Sequence, residues 1–185
     1  GTLKLKGDDN FPPTFRTIGQ DTRWQILSLL EQNVYQYLLN INYETMKYQP
    51  QLATHWKISD DKLTYWFRLN PDARWSDGRD VTADDVVATF NLLADKGHGD
   101  PNIYTLYSES FELPLVAESK YIVRVKSKKV DWRTFIYAAT SAPILPDYYL
   151  NKVDGAGYVD KYQYEMLPGT GPYILDKKRT TKDNN

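Results

Sequence analysis

The sequence contains no cysteine, and this absence removes several kinds of chemistry at once. Without thiols the chain has no disulfide bond, no thiolate nucleophile and no cysteine-ligated metal. Its two histidines, His55 and His98, are too few for a structural zinc site, which takes three or four nitrogen or sulfur ligands. We expect His55 to pack or cap at the start of a strand, and His98, between two glycines, to be solvated. No metal and no cofactor are expected.

An excess of charge of one sign is also missing. Lys and Arg number 23 against 24 Asp and Glu, for a formal net charge of −1. Nucleic-acid binders need a basic surface to replace the counterions of phosphate, so we expect no nucleic-acid partner. Long apolar segments are missing as well. No apolar run approaches the ~18 residues of a membrane span. The first residues lack the apolar core of a signal peptide, so an exported protein would have lost its signal before residue 1.

Catalytic motifs are scarce. The nucleophile pattern G-x-S-x-G is absent. The glycines of Gly169-Thr170-Gly171 suggest a phosphate-binding loop, but the third glycine of that motif is missing and Pro172 follows. We therefore interpret this run as a turn that leads into a strand over 172–175. The acidic pairs at 8–9, 60–61 and 84–85 lie where turns or helix starts are predicted, and there Asp binds free backbone N–H groups. We therefore expect no enzyme activity, with a glycoside hydrolase as the alternative from another class, since its two carboxylates can be distant in sequence.

Aromatic residues, by contrast, are abundant, with 15 Tyr and 5 Trp against 6 Phe. Tyr and Trp join an apolar face to a polar group, which suits ligand clefts as well as the cover of a sheet. Hydrophobic spacing and turn residues predict helices and strands in mixed order. We predict a strand over 2–6, helices over 24–39 (N-cap Asp21 or Thr22), 83–93 (N-cap Thr82) and 132–139, hairpins over 56–69 and 111–125, and loops over 40–49, around Asp100 and around 155–157. Mixed hairpins and helices exclude a plain doubly wound sheet.

A set of motifs between residues 50 and 90 is more specific. They read PQLATHW at 50–56, SDD at 59–61, LTYWFRL at 63–69, ARWSDG at 73–78 and VTADDVV at 81–87, with Phe90 beyond. NVYQYLL at 33–39 and PGTGPY at 168–173 flank this set in the same order. Together they resemble the family 5 extracellular solute-binding proteins, the oligopeptide-, dipeptide- and nickel-binding components of ABC importers. PILPDYY at 143–149 further resembles a sub-group of larger microcin- or peptide-importing relatives.

The resemblance implies a fold and a division of the chain. The fold would be α/β of mixed α+β type, periplasmic-binding-protein type II-like, with part of the first lobe and a small inserted lobe built of antiparallel hairpins. Residues 1–40 would form the N-terminal segment of the first lobe, 41–165 the inserted lobe, and 166–185 the return strand into the first lobe. The second large lobe would be absent from this chain.

The resemblance also implies a function. The protein would capture peptides outside the cytoplasmic membrane, in the periplasm or at the cell surface, and deliver them to an ABC permease; receptors for oligosaccharides or metal chelates are the alternatives within the same fold. Tyr104 follows Asp-Pro-Asn and, with Tyr107, matches a ligand-binding position of the family, while Gln20 lies in a loop that faces the cleft in relatives. With half a cleft, we expect weak peptide binding and self-association through an exposed apolar surface.

Overall fold

The computed structural model describes residues 1–5 and 11–180. Within these ranges the helices are α1 (Gln25–Val34), α2 (Ala83–Leu93), α3 (Pro101–Ser110), α4 (Trp132–Thr140), α5 (Asp147–Leu150) and α6 (Gly155–Lys161). The strands are β1 (Leu39–Asn42), β2 (Lys47–Pro50), β3 (Ala53–Ile58), β4 (Thr64–Leu69), β5 (Phe111–Ser119) and β6 (Ile122–Ser127), and a 3-10 turn spans Lys96–His98. The predicted mixture of helices and antiparallel strands is confirmed.

A four-stranded antiparallel sheet in the order β3-β4-β6-β5 forms the centre of the molecule. Both predicted hairpins supply it: β3 pairs with β4, and β5 pairs with β6. Tyr65, Phe67 and Leu69 alternate along β4 with more exposed residues and are buried. Because alternate side chains of a strand point to opposite faces, one face of the sheet is apolar and the other is left for solvent.

Helices α2 and α4 cover the apolar face. Phe90 of α2 packs edge-on against Phe111 of β5, with ring centroids 5.5 Å apart. Phe135 of α4 stacks on Phe67 of β4 at 5.7 Å. Aromatic pairs of this kind add to the free energy of burial, so the abundant aromatics form much of one continuous core.

The predicted capping box at the start of α2 is confirmed. The backbone N–H of Thr82 donates to the Asp85 carboxylate at 2.7 Å, and Thr82 is the N-cap. Asp85 also accepts from the indole Nε1 of Trp75 at 3.3 Å and from the N–H of Asp147 at 2.8 Å. The cap therefore connects α2 to two other segments as well as closing its first turn.

Helix α1 is shorter than the prediction of 24–39. It ends at Val34 because Tyr35 is extended (φ −117°, ψ 162°), and the buried Leu38 and Leu39 then lead into β1. The predicted N-cap is also wrong: Trp24 holds that position without a side-chain hydrogen bond. Thr22 instead donates its hydroxyl to the carbonyl of Gly19 at 3.0 Å, inside the preceding loop.

Several elements were not predicted, α5 and the 3-10 turn among them. The hairpin of β1 and β2 lies in the predicted loop 40–49, α3 follows Asp100, and α6 contains the predicted loop at Gly155 and Gly157. The N-caps account for the starts of α3 and α6: Asp100 accepts from the N–H groups of Asn102 and Ile103, and Asp154 accepts from the N–H of Gly157. A proline at the first position of α3 strengthens its start.

The return segment packs beside the end of α1 without forming the predicted strand over 172–175. The N–H groups of Gly171 and Tyr173 donate to the carbonyls of Val34 (2.8 Å) and Asn33 (3.2 Å). A Cβ on Gly169 would lie 2.0 Å from the Val34 carbonyl, so the glycines of this turn serve close backbone approach. Residues 172–175 have no neighbouring strand within the described chain and form no ladder.

At the N-terminus, residues 1–5 carry no regular structure, so the described part of the predicted strand 2–6 is not formed. Lys6 and the acidic pair Asp8-Asp9 lie outside the described residues.

Candidate functional site

The loop of residues 18–23, which holds the predicted site residue Gln20, lies against the 3-10 turn before α3. The N–H of Gln20 donates to the carbonyl of His98 at 2.9 Å. Gly19 has a φ of 100°, and a Cβ there would come within 2.5 Å of the same carbonyl. Only glycine fits this conformation and this approach without strain, so the loop is held closely to the turn.

His98 is completely buried at the centre of this contact, so the prediction of a solvated histidine is wrong. Its Nδ1 accepts a hydrogen bond from the N–H of Asp100 at 3.1 Å, since a backbone N–H can only donate. Its Nε2 therefore carries the proton and donates to the carbonyl of Leu93 at 3.1 Å. The neutral ring thus joins the end of α2 to the residue that caps α3.

Asp100 closes the N-terminus of α3. Its Oδ1 accepts from the N–H groups of Asn102 and Ile103 at 2.9 and 3.2 Å, and its Oδ2 accepts from Arg23 Nη2 at 3.3 Å. Burial raises the pKa of the Asp100 carboxyl, but the two N–H donors and Arg23 outweigh it, so the pKa lies below its ordinary value. The ionised carboxylate fixes Arg23, and with it the loop of Gln20, beside α3.

Gln20 and Tyr104 are brought to the same region of the molecule. The exposed Gln20 lies over Gly99, where a Cβ would come within 2.8 Å of Gln20 Oε1. Tyr104 is half-buried in the first turns of α3, and its N–H donates to the carbonyl of Asp100 at 3.0 Å. The candidate site is therefore the loop 18–23 together with the N-terminal half of α3.

Tyr107 occupies a different environment, one turn further along α3. It is 1% exposed, and its ring packs at 5.2 Å from Phe90 and 5.7 Å from Phe111. Its hydroxyl donates to the carbonyl of Tyr137 at 3.2 Å. Direct contact with a ligand would require this ring to leave the core, and its packing fixes the position of α3 in the observed structure.

The buried Arg16 also supports the loop of residues 18–23. It is 3% exposed, and its Nη1 donates to the carbonyl of Ile18 at 3.0 Å. Burial lowers the pKa of its guanidinium, an effect that the nearby Tyr158 hydroxyl and two acidic residues oppose. Arg16 and Arg23 were not singled out from the sequence, and His98 and Asp100 were only assigned to a loop. The order Asp100-Pro101 is typical of a helix start, whereas nothing in the sequence near His98 indicates burial.

Two further features concern the part of the chain that the structure covers. There, no group of three or more His, Asp or Glu side chains is arranged to hold a metal ion. None of the helices described has both the length and the apolar character of a membrane span.

Comparison with known families defines the class of this protein. Residues 47–183 match the model of the bacterial extracellular solute-binding proteins, family 5 Middle, and the chain belongs to this family. The family is one of binding proteins, and its periplasmic-binding-protein type II-like fold is the one that the antiparallel hairpins and capped helices form here.

Particular relatives narrow the comparison. The chain is 32% identical over 130 residues to the peptidoglycan-binding protein YepA of Agrobacterium fabrum, covering 69% of this chain and 20% of YepA. It is 28% identical over 168 residues to the peptide transport periplasmic protein SapA of Salmonella typhimurium, covering 83% of this chain and 31% of SapA. The fold of the oligopeptide-binding protein AppA from Bacillus subtilis, solved with a nonapeptide, superposes with a TM-score of 0.77 at 24% identity, covering 94% of this chain and 34% of AppA. The chain thus spans about a fifth to a third of the length of these relatives.

Proposed function

We propose that this chain belongs to an extracytoplasmic receptor that captures peptides and delivers them to an ABC permease in the cytoplasmic membrane. The observation that carries the proposal is the alignment of 83% of the chain with SapA, whose name records peptide transport in the periplasm. The shared fold with the nonapeptide-bound AppA supports it.

The chemistry of the site is suited to a peptide. The exposed amide of Gln20 offers both a donor and an acceptor, and the half-buried Tyr104 offers a phenol hydroxyl beside an apolar ring. Receptors of extended peptides hold the peptide backbone by such hydrogen bonds and leave side chains to pockets. In this proposal Gln20 and Tyr104 contact the ligand, and Tyr107 contributes through α3, which its ring holds in place.

We infer that the ligand is bound and released unchanged. Asp100, the carboxylate nearest to α3 in the described site, is engaged by two backbone N–H groups and by Arg23. A carboxylate held in this way serves as a structural anion, because protein donors occupy both of its oxygens. Binding without catalysis is what a family of binding proteins leads us to expect.

Backbone hydrogen bonds between distant parts of the chain support the proposed division into lobes. The hydrogen bonds from Gly171 and Tyr173 to Val34 and Asn33 join part of the proposed return segment (166–185) to part of the proposed N-terminal segment (1–40), which agrees with a first lobe interrupted by an inserted lobe at 41–165. The longer relatives have room for a second large lobe, which would supply the opposite wall of the cleft.

An NMR titration of the isotope-labelled chain tests the function. Synthetic peptides of two to nine residues are added as one mixture, and mannohexaose and a nickel–histidine chelate are added separately as probes of the alternative ligand classes. We expect peptides to shift the amide signals of Gln20 and Tyr104. The variants Gln20→Ala and Tyr104→Ala should reduce the response, whereas Tyr43→Ala, an exposed tyrosine between β1 and β2, should not. Shifts with the sugar or the chelate alone would overturn the choice of peptide.

A further inference from the structure

A buried histidine with two backbone partners lies between the two halves of the proposed site. His98 contacts the carbonyl of Leu93 and the N–H of Asp100 through its two ring nitrogens. Its own carbonyl accepts the N–H of Gln20. One residue therefore touches α2, the residue that caps α3, and the loop that carries Gln20.

The bond from Asp100 N–H to His98 Nδ1 has a particular consequence for the local backbone. It spans two residues, like the side-chain turns that Asn and Asp form, and it encloses Gly99, which has a φ of 80°. The Gln20 side chain lies directly over Gly99, with its Oε1 2.8 Å from where a Cβ on Gly99 would be, so a change in the shape of this turn would alter that contact. The same turn directs Asp100 into the first turn of α3.

From these contacts we propose that His98 is the positioning residue of the site, holding Gln20 and the Tyr104 helix in a fixed relation without touching the ligand. The inference rests on the proposed function for the identity of the site, and on hydrogen bonds for the role of the ring. The turn-forming bond to Asp100, rather than the bond to Leu93, carries the positioning.

Two substitutions separate the two bonds. In His98→Asn the side-chain oxygen lies where Nδ1 lies, so the turn around Gly99 is kept and the bond to Leu93 is lost. In His98→Gln the amide reaches towards Leu93, and the acceptor for Asp100 is lost. Each variant removes one buried hydrogen bond, so a purely structural role predicts similar losses in both. His55→Gln is the control, because His55 is exposed and its Nδ1 contacts only the neighbouring Thr54 hydroxyl.

Hydrogen exchange of the Gln20 amide is the first measurement, and it needs no ligand. We expect His98→Gln to reduce its protection about ten-fold, and His98→Asn and His55→Gln to leave it near the original value. Equal protection in His98→Gln and the original chain overturns the positioning role. If His98→Gln does not fold, Gly99→Ala tests the same turn, with Gly78→Ala as control, since both glycines have positive φ but only Gly99 contacts Gln20.

The peptide titration described above is the second measurement. We expect the peptide mixture to shift Gln20 and Tyr104 about ten-fold less effectively in His98→Gln and normally in His98→Asn. A response that falls equally in both variants overturns the positioning role, because it then follows the loss of stability. If peptides shift neither signal in the original chain, the proposed function fails, whatever the exchange rates show.

Discussion

The carboxylate of Asp85 accepts a hydrogen bond from the N–H of Asp147 at 2.8 Å, across 62 residues of sequence. The same carboxylate closes the capping box at Thr82 and accepts the indole N–H of Trp75. A second contact strengthens this junction, since the hydroxyl of Tyr148 donates to Asp77 at 2.7 Å. Two motifs that appear unrelated in the sequence, ARWSDG at 73–78 and PILPDYY at 143–149, therefore meet around one buried side chain.

Asp85→Asn should destabilise the fold. The asparagine keeps one acceptor, but its NH₂ group faces at least one of the N–H donors that Asp85 satisfies. We expect the free energy of unfolding to fall by roughly 1–3 kcal/mol, as for other buried groups left without a partner. Urea denaturation measures it, with Asp84→Asn as the control because Asp84 is exposed in the same helical turn. Equal midpoints for the two variants would contradict the role of Asp85.

Gly169→Ala should be costly for a different reason. The new Cβ would lie 2.0 Å from the carbonyl oxygen of Val34 and 2.6 Å from its side chain, so the return segment has to move away from α1. We expect a loss of roughly 1–3 kcal/mol in the free energy of unfolding, as for other overpacked sites. Gly78→Asn is the control, since Gly78 has open space around it and asparagine tolerates positive φ. A smaller loss in Gly169→Ala than in Gly78→Asn would show that the two segments separate easily.

The stability of the fold should depend on the ionisation of Glu31. Burial raises the pKa of the Glu31 carboxyl more than the hydrogen bond from the Tyr37 hydroxyl lowers it. In the unfolded chain a glutamate loses its proton near pH about 4.3. Above that pH the folded state still holds its proton, so the free energy of unfolding should fall as pH rises, until the raised pKa is passed.

Glu31→Gln tests this pH dependence, because glutamine keeps the acceptor for Tyr37 and cannot ionise. The variant and the original chain should have similar stability below pH about 4, and the variant should be the more stable of the two at neutral pH. Thermal melts across this range measure the difference, with the exposed Glu44→Gln as control. Parallel curves at all pH values would show that Glu31 ionises as readily in the fold as in the unfolded chain.

Peptide affinity should be weak in this chain. The proposed site offers one wall of a cleft, so the binding energy of the opposite wall and the exclusion of water are missing, while the cost of ordering the peptide remains. We expect a dissociation constant weaker than micromolar for every peptide in the mixture. Isothermal titration calorimetry checks this, and micromolar or tighter binding would mean that the chain holds a complete site.

Self-association should occur through the apolar surface beside the end of α1. Leu29 and Tyr173 are each 37% exposed and Ile174 is 71% exposed, and Tyr173 is bonded to Asn33, one turn beyond Leu29. Burying this surface between two copies would remove apolar area from water. Sedimentation equilibrium should show dimers that Leu29→Asp with Ile174→Asp disrupts. Tyr43→Asp with Met46→Asp is the control, on a turn whose apolar side chains are at least as exposed; equal disruption by both pairs would refute this surface as the interface.

Local signals explain which elements the sequence predicts correctly. In β4 and β6 an apolar residue stands at every second position (65, 67 and 69; 123 and 125), and at Thr82 the side-chain chemistry of a helix start is complete, so each could be found from a few neighbouring residues. Helix α1 was overestimated because the apolar spacing continues to Leu38. The chain turns extended at Tyr35, whose hydroxyl donates to the carbonyl of Leu167 at 2.8 Å, so a distant segment overrides the local pattern.

The candidate site likewise contains residues that the sequence indicated and residues whose environment depends on distant segments. Gln20, Tyr104 and Tyr107 were chosen from a family pattern, and the burial of Tyr107 depends on Phe90 and Phe111, which come from two other elements. His98 could not be found, because glycines on both sides are typical of an exposed loop. Here those glycines allow close packing: a Cβ on Gly97 would lie 2.8 Å from the N atom of Ala156 in α6.

The contact between Val34 and Gly169 brings together the two ends of a long segment of the chain. More than a hundred residues leave the main path of the chain at one of these positions and come back at the other, where the backbones touch. Because the two ends of this segment meet, loops within it that do not contact residues 11–34 can be lengthened or shortened without moving those ends. Grafting residues 35–168 between the matching positions of a relative should therefore yield a folded chimera where that relative also supplies partners for His98 and Asp100, which here bind Gln20 and Arg23 outside the segment.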